Sequence, residues 1–584
     1  MIVKMKKITL VVQAKDVEPT LISLGKLGLL HIEHQNVTEG EEITEAERKY
    51  HSLSKAIEIL PDTGGDKNSH KDPEDFAREA LDLVDEKEII LENLRKINKD
   101  IETWKAWGDF DPELVDSLKD KGISVQLCRL TKKQIKEVPD EVIVEKLFKK
   151  GNVHYCAIIS QKDVELGFNT LNLPGKSLGE MITEEEKQKD RLACIDKRLV
   201  EIAGYKNMLV SHKSHLESVL EFNRAREGMG RFESLSYIRG YCPVHVVNSL
   251  ERCAKAEKWG LLVEDPDEND NVPTLIKNPR WIEMIKPVFQ VIKTIPGYRE
   301  VDISFWFLLF FSVFFGMLIG DAGYGVVFFI VNLFCHAKFK KRVRDKSIFI
   351  LTYILSISTI IWGILTGTFF GQSWLATTVK PLLPFLRESR NIQALCFFIG
   401  AFHLSIAHTW KFIRKMPSLK AFSEAGWVCM LWAAYFLARM LILSEAFPEL
   451  GKYLFICGAA LVILCTNPTK NIFKTVGSGI GGLLLNVINA FTDTVSYIRL
   501  FAVGAATVAV ADAFNQMALS IGYGNIISGF FTALVLIFGH TLNILLGAMA
   551  VLVHGVRLNV LEFSSHLNME WSGIEYKPFK QEVN

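Results

Sequence analysis

The apolar positions of this chain follow two rhythms: up to about residue 300 they are spaced apart, and beyond it they run together. In the first part Phe76, Leu83, Ile90, Ile97 and Trp104 recur every seven residues, with Leu94 and Ile101 at the companion seam positions. Leu192, Ile195, Leu199, Ile202, Leu209 and Leu216 keep a 3–4 or seven-residue spacing. Charged residues fill most of the remaining positions, so the pattern predicts a coiled coil over about 73–106 and 183–226. An internal hairpin burying its own seam and a seam shared with another chain both satisfy it. Around these helices Ile8–Val12 reads as a strand, Asp16 to Gly28 as a helix with an acidic cap, and Leu29–Ile32 as a second strand. Similar patterns return at Val153–Ser160 and around Phe232–Val246, which predicts small α/β lobes.

The second part holds apolar runs at 303–319, 322–336, 347–371, 391–410, 425–443, 452–466, 475–518 and 526–566. A membrane span needs roughly 20 apolar residues. The first two runs are short and meet at Gly320-Asp321-Ala322-Gly323-Tyr324-Gly325, so they read as two crossings or one interrupted one. Loop charge decides between these. With eight crossings and a cytoplasmic N-terminus, the cytoplasmic loops hold Lys338, Lys340, Lys341, Arg342, Arg344 and Lys346, then Lys411, Arg414, Lys415 and Lys420, then Lys470 and Lys474, then Lys577 and Lys580. The opposite side holds only Lys380, Arg387, Arg390 and Lys452, with Arg439 near a span end, which satisfies the positive-inside rule. The last two runs are too long to cross simply and must tilt, kink or protrude. The predicted fold is therefore mainly α. Cytoplasmic α/β lobes joined by a coiled-coil hairpin occupy residues 1–300, and an eight-helix transmembrane domain with two long tilted final helices occupies 301–584.

Charge sharpens this division. The 67 basic and 66 acidic residues nearly cancel, yet residues 1–300 carry 46 and 53 while residues 301–584 carry 21 and 13. The net −7 and +8 exclude a single globular domain, and the near-neutral sum gives no reason to expect nucleic acid as a partner. The ten cysteines show no CxxC or Cys/His cluster, which argues against a zinc or disulfide framework. The apolar stretch near the N-terminus is too short for a signal peptide. Gly175-Lys176-Ser177 resembles the end of a phosphate-binding loop, but Thr170 stands where its first glycine is needed, so no nucleotide site and no bound cofactor are expected. The acidic stretch 264–271 lacks the room of an EF-hand loop and reads as solvated.

Candidate chemistry lies in the last two apolar runs. At 100° per residue Asn486, Asn489, Asp493 and Ser496 share a polar stripe, with Tyr497, Arg499 and Asp512 beyond it. Asn543, Gly547, His554 and Arg557 share another, with His540 and Glu562 nearby. Gly504, Ala505, Ala506, Ala509, Ala511 and Ala513 form a small face that permits close approach of another helix. An arginine in a bilayer costs roughly 2.5–3.5 kcal/mol and stays protonated, so it serves as a fixed charge. It can keep a partner carboxylate ionised. The structural alternative is an Arg499 pair with Asp493 or Asp512 that ties two helices together. His403, His408 and Glu424 are weaker candidates.

The stretch DTVSYIRLFAVGAA from Asp493 to Ala506 resembles the penultimate helix of the V/A-type ATPase membrane subunit called a or I. GHTLNILLGAMAVLVHGVRLNVLEF, from Gly539 to Phe563, is similar to its final helix, and FFGMLIGDAGYG, Phe314 to Gly325, to its first membrane hairpin. Tyr298 to Asp302 and the stretch from Met5 to His34 also resemble the family. Departures are Ile303 for a usual proline, Ala505 for a frequent leucine, and Ser564-Ser565 where aromatics and glycine are usual. The resemblance implies a membrane stator of a rotary motor, of bacterial or archaeal type. Its partners would be rotor-ring proteolipids, peripheral stalks, a central-stalk or rotor-cap subunit and the bilayer. Arg499 would meet the rotor carboxylate, Arg557 would support it, and Asp493, Ser496, Tyr497, His540, Asn543, His554 and Glu562 would line the path of a transported H+ or Na+. The rival class is a secondary transporter with an Asp/Arg substrate site. It predicts inverted repeats, and none is visible.

Overall fold

A computed structural model describes residues 1–33, 40–62, 71–132, 134–137, 142–151, 153–161, 170–171, 173–341, 343, 345–372, 381–468 and 472–580. The loop charges Arg342, Arg344, Lys380 and Lys470 lie outside the described residues. The chain divides into two compact units, one of Thr9–Arg239, Cys253–Leu261 and Phe579–Asn584, the other of Met1–Ile8, Gly240–Arg252 and Leu262–Pro578.

Along the first 264 residues run β1 (Met5–Gln13), α1 (Val17–Leu27), β2 (His31–Glu33), α2 (Glu41–Ile59), α3 (Pro73–Trp104), α4 (Pro112–Asp120), β3 (Ser124–Thr131), β4 (Ile143–Lys150), β5 (Val153–Ser160), β6 (Thr170–Leu171), α5 (Leu178–Ala203), α6 (Lys206–Glu227), β7 (Gly230–Phe232), β8 (Leu235–Pro243), α7 (Val247–Ala256) and β9 (Gly260–Glu264). One sheet has the order β2-β8-β1-β9 with β7 on β8, and the other β4-β5-β3-β6. The expected strands at 8–12, 153–160 and 232–246 fall on β1, β5 and β8, and the strand expected at 29–32 is shifted to β2.

Helix α3 starts where Pro73 occupies its first turn and the Asp72 carboxylate accepts from Glu74 N at 3.0 Å, a strong start signal. Its seam residues Phe76, Ile90 and Leu94 are buried with Ile195, Leu199, Ile202, Leu209 and Leu216. Glu79 pairs with Arg198 and Glu86 with Arg191, each at 2.7 Å, so numbers rise along α3 as they fall along α5. Two features depart from the heptad reading. The second stretch is two helices, broken at Gly204-Tyr205, where Tyr205 stacks on Phe76 with ring centroids 4.7 Å apart. The seven-residue step from Ile202 to Leu209 survives the break, which hides it from periodicity. Helix α2 also joins the bundle through Leu53 and Ala56, followed by Leu60 at its C-terminal cap. Ile97, Ile101 and Trp104 leave this seam and pack with Leu127, Ala157 and Met181. Ser177, the end of the apparent phosphate loop, caps α5: Glu180 N donates to its Oγ, and Ser177 N donates to the Glu180 carboxylate.

The other unit contains α8 (Arg280–Glu283), α9 (Lys286–Ile292), α10 (Ser304–Ile319), α11 (Ala322–Phe339), α12 (Ser347–Thr366), α13 (Ser389–Lys415), α14 (Ala421–Leu443), α15 (Glu449–Cys465), α16 (Ile472–Ser496), α17 (Ile498–Ile521) and α18 (Ile526–Ala550). Among the described residues six helical stretches are long and apolar enough to cross a membrane. Ser304–Ile319, with 16 residues, is apolar but shorter. Each of the first six apolar runs read from the sequence falls on one helix, whereas 475–518 covers α16 and α17 and 526–566 extends beyond α18.

Local chemistry explains the joints. Gly320 takes a positive φ of 70° to end α10, and Asp321 then caps α11. The Asp321 carboxylate is fully buried and accepts from Gly323 N, Tyr324 N and Gly371 N at 2.7, 3.3 and 2.9 Å, so backbone donors stabilise its charge. Gly363 lets α12 approach closely, since a Cβ there would sit 2.0 Å from Ala322 N.

The two over-long runs are not straight. Gly479–Ile521 is interrupted at Tyr497, where Leu500 N bonds to Tyr497 O at 3.0 Å and not one residue further back. Ile526–His566 passes into two π-helical stretches, Val551–Gly555 and Leu558–Phe563, before a last turn Ser564–His566. π-turns of this kind cluster at functional sites. They also correct the second polar stripe, because a uniform 100° step does not hold between Asn543 and Arg557.

Candidate functional site

The helix break builds the centre of the site. It leaves the Ser496 carbonyl without its regular helical donor, and Arg499 Nε fills that role at 3.0 Å. The guanidinium is thereby anchored to its own backbone. Its Nη2 donates to Glu562 Oε1 at 2.5 Å, and Arg557 Nε lies 3.5 Å from the same oxygen. Glu562 is only 5% exposed and is shared by both arginines, whereas the Arg557 side chain is 53% exposed. The structural alternative, an Arg499 pair with Asp493 or Asp512, is not the one formed among the described residues. The π-turns carry Glu562 to the guanidinium, Asp512 accepts from Gln516 at 2.7 Å, and Asp493 faces His566.

On one side of this centre a cavity of about 550 Å3 is lined by Asn486, Asn489, Asp493, Arg557, Glu562 and His566, among others. A chain of titratable groups leads away from it. Asp493 Oδ2 lies 3.1 Å from His566 Nε2, and His566 Nδ1 lies 2.8 Å from His408 Nε2. His408 Nδ1 is 2.7 Å from Glu424 Oε2, and Lys415 Nζ is 2.5 Å from Glu424 Oε1, with Lys411 at 3.6 Å. The first polar stripe thus opens onto a hydrogen-bonded chain that ends at the basic end of α13.

On the other side a cavity of about 430 Å3 is lined by Leu500, Gly504, Ala505, Asp512, Thr368 and Arg387, among others. Beside α11, Tyr324 Oη lies 2.8 Å from His540 Nδ1 and accepts from Asn543 Nδ2 at 2.9 Å. Asn543 also donates to Thr507 O at 2.8 Å. The small face of α17 is divided. Gly504 packs under the Met317 carbonyl and Ala511 is buried against Gly371, so these two serve intramolecular contacts, while Ala505, Ala506, Ala509 and Ala513 are exposed.

The structure therefore brings Arg499, Arg557, Glu562 and Asp493 together and sets His540 and Asn543 in a separate cluster. His554 lies between them on the first π stretch, with a buried Nδ1 that has no hydrogen-bond partner among the described residues. Tyr497 is fully buried with its hydroxyl 2.8 Å from His403 Nδ1, and His403 stacks between Phe310 and Phe563. Of the weaker candidates, His403 is core, whereas His408 and Glu424 belong to the titratable chain. Sequence reasoning missed His566, although it stands one helical turn beyond Glu562, and it read Asp321 and Tyr324 only as part of a junction.

These features define a membrane protein of many helices whose centre is one carboxylate shared by two arginines. No family model matches the chain. It is 33% identical to V-type ATP synthase subunit I of Borreliella burgdorferi and 30% identical to V-type ATP synthase subunit I 1 of Treponema pallidum, over the full length of both partners each time. Among solved structures, the cytoplasmic N-terminal domain of subunit I, homolog of subunit a, of V-ATPase matches at a TM-score of 0.23 and 14% identity, covering 44% of this chain and 99% of that one. The chain belongs to the V-type ATP synthase subunit I family. It is a membrane subunit of a rotary ATPase and works with other subunits of that complex.

Proposed function

We propose that this chain is the membrane stator of its rotary complex and that Arg499 meets the carboxylate of each passing rotor subunit. The observation that carries this is the shared carboxylate. Glu562 holds Arg499 at the break in the penultimate helix and Arg557 beside it, between a polar cavity and a mainly apolar one that Asp512, Arg387 and Thr368 also line. A rotor carboxylate must be neutral against lipid and charged when it gives up its ion. A fixed guanidinium favours the charged form and blocks a direct leak between two offset half-channels. Ser496 and Tyr497 supply the break that anchors Arg499. Asp493, His566, His408 and Glu424 form the half-channel on the basic-loop side, while His540, Asn543 and Tyr324 stand toward the other, with His554 between. The transported ion is H+ or Na+.

Residues 1–300 and the C-terminus lie on the cytoplasmic side in this reading, supported by the basic loops, and bind peripheral stalks and the rotor cap. Residues 301–584 cross eight times. The test is Arg499→Lys in the assembled complex. Lysine is a compact charge that can lose its proton when buried, so ATP-driven ion uptake is expected to fall to background while the subunits still co-purify. Uptake at the parental rate would refute the role of Arg499.

A further inference from the structure

Away from the arginines, a cavity of about 530 Å3 lies where the chain enters its first apolar helix. Ser304, the first residue of α10, lines it together with α9 and the C-terminal segment around Glu575, which forms a single β-bridge with Thr274. Its floor is apolar, from Ile285, Phe289 and Ile295, and its edge carries Lys286 and Lys293, both exposed. Thr274 and Thr294 also line it. Thr274 is 3% exposed, and the hydroxyls of both threonines are buried without a hydrogen-bond partner among the described residues. A buried hydroxyl left unpaired is costly, so its persistence points to a ligand that supplies an acceptor. The other charges in the lining are Glu283, Glu575 and Lys577, and the last two pair with each other at 3.6 Å. Next to the cavity-lining Glu283 and Ser304 in the chain, Trp281 and Phe305 stack edge to face and are both exposed, as aromatic side chains at a membrane–water boundary are.

We propose that this cavity binds the headgroup of an anionic phospholipid. Its phosphate oxygens accept from Lys286, Lys293 and the threonine hydroxyls, and its first carbons rest on Phe289 and Ile295. The volume suits a headgroup with its glycerol. Basic pockets beside membrane helices recognise such lipids by this combination of charge and depth. The site is independent of the arginine centre, and its occupancy would tie the C-terminal segment and α9 to the start of α10.

The test uses the full complex in phosphatidylcholine vesicles containing a photoactivatable phosphatidylglycerol, with labelled peptides mapped. Label is expected within 274–304, competed by excess phosphatidylglycerol but not by phosphatidylcholine or inorganic phosphate. The double variant Lys286→Gln, Lys293→Gln should lower it about thirtyfold, from two lysines near an anionic surface. Both lysines are exposed, so folding is preserved, and co-purification of the other subunits checks this. Thr274→Val should lower labelling separately. Label absent from this segment, unchanged in the double variant, or competed equally by phosphatidylcholine or by inorganic phosphate overturns the proposal.

Discussion

Replacing Glu562 by glutamine tests the shared carboxylate without changing the shape of the site. Glutamine keeps an oxygen for Arg499, and the guanidinium remains tied to Ser496 O at 3.0 Å, so its position survives. The charge that competes for it does not. The interaction lost is chiefly the 2.5 Å charge-assisted bond from Arg499, because Arg557 stands off at 3.5 Å and is half exposed. Such a bond contributes about 1.5–3 kcal/mol. If Glu562 and the rotor carboxylate compete for Arg499, the substitution deepens the rotor-bound state by about half that amount, since the glutamine oxygen keeps the weaker neutral bond. At about 1.4 kcal/mol per tenfold, release slows by roughly 4- to 13-fold. The assay is ATP-driven ion uptake by the complex in vesicles, with ATP hydrolysis measured in parallel and assembly checked by co-purification. Uptake within about threefold of the parent, on an intact complex, would show that Glu562 does not compete and that the bridge only ties helices together.

Two further outcomes follow from the structure. Gly363→Ala places a methyl 2.0 Å from Ala322 N, where backbone and not a flexible side chain is in the way, so overpacking should cost about 1–3 kcal/mol or more and lower the yield of folded membrane protein. A normal yield and melting temperature would contradict the tight α11–α12 contact. In the helical bundle, Arg198 donates to Glu79 and holds its carboxyl below the usual range. A carboxylate depressed in the folded state contributes stability above its unfolded pKa and loses it as pH falls through the folded value. Thermal stability should therefore decline as pH drops below about 4.5, the ordinary glutamate range, and Glu79→Gln should flatten that decline. Identical pH profiles would remove the pair from the account.

Much of the architecture is legible in the sequence because it rests on local rules. Long apolar runs become helices, Asp72-Pro73 starts one, and the glycines around Asp321 mark a junction. Arg499 and Arg557 are conspicuous because charge is costly in a bilayer. What links them is not local. Glu562 reaches Arg499 across 63 positions, and His408 meets His566 across 158. The π-turns that swing Glu562 into place leave no trace in a 3.6-residue periodicity, and the Gly204 break is masked by heptads that resume in phase. The small face of α17 looks uniform in sequence, yet Gly504 and Ala511 are consumed inside the chain.

If Arg499 faces the rotor carboxylate, residues beside it on α17 stand within cross-linking distance of the rotor. Ala502 is exposed and lies three residues beyond Arg499, on the same side of α17. A cysteine at Ala502 should form a disulfide with a cysteine placed one turn from the rotor carboxylate when the assembled complex is oxidised. A cysteine at the exposed Leu441 on α14 should not. Cross-linking from Leu441 and none from Ala502 would place the rotor on another face and contradict the account.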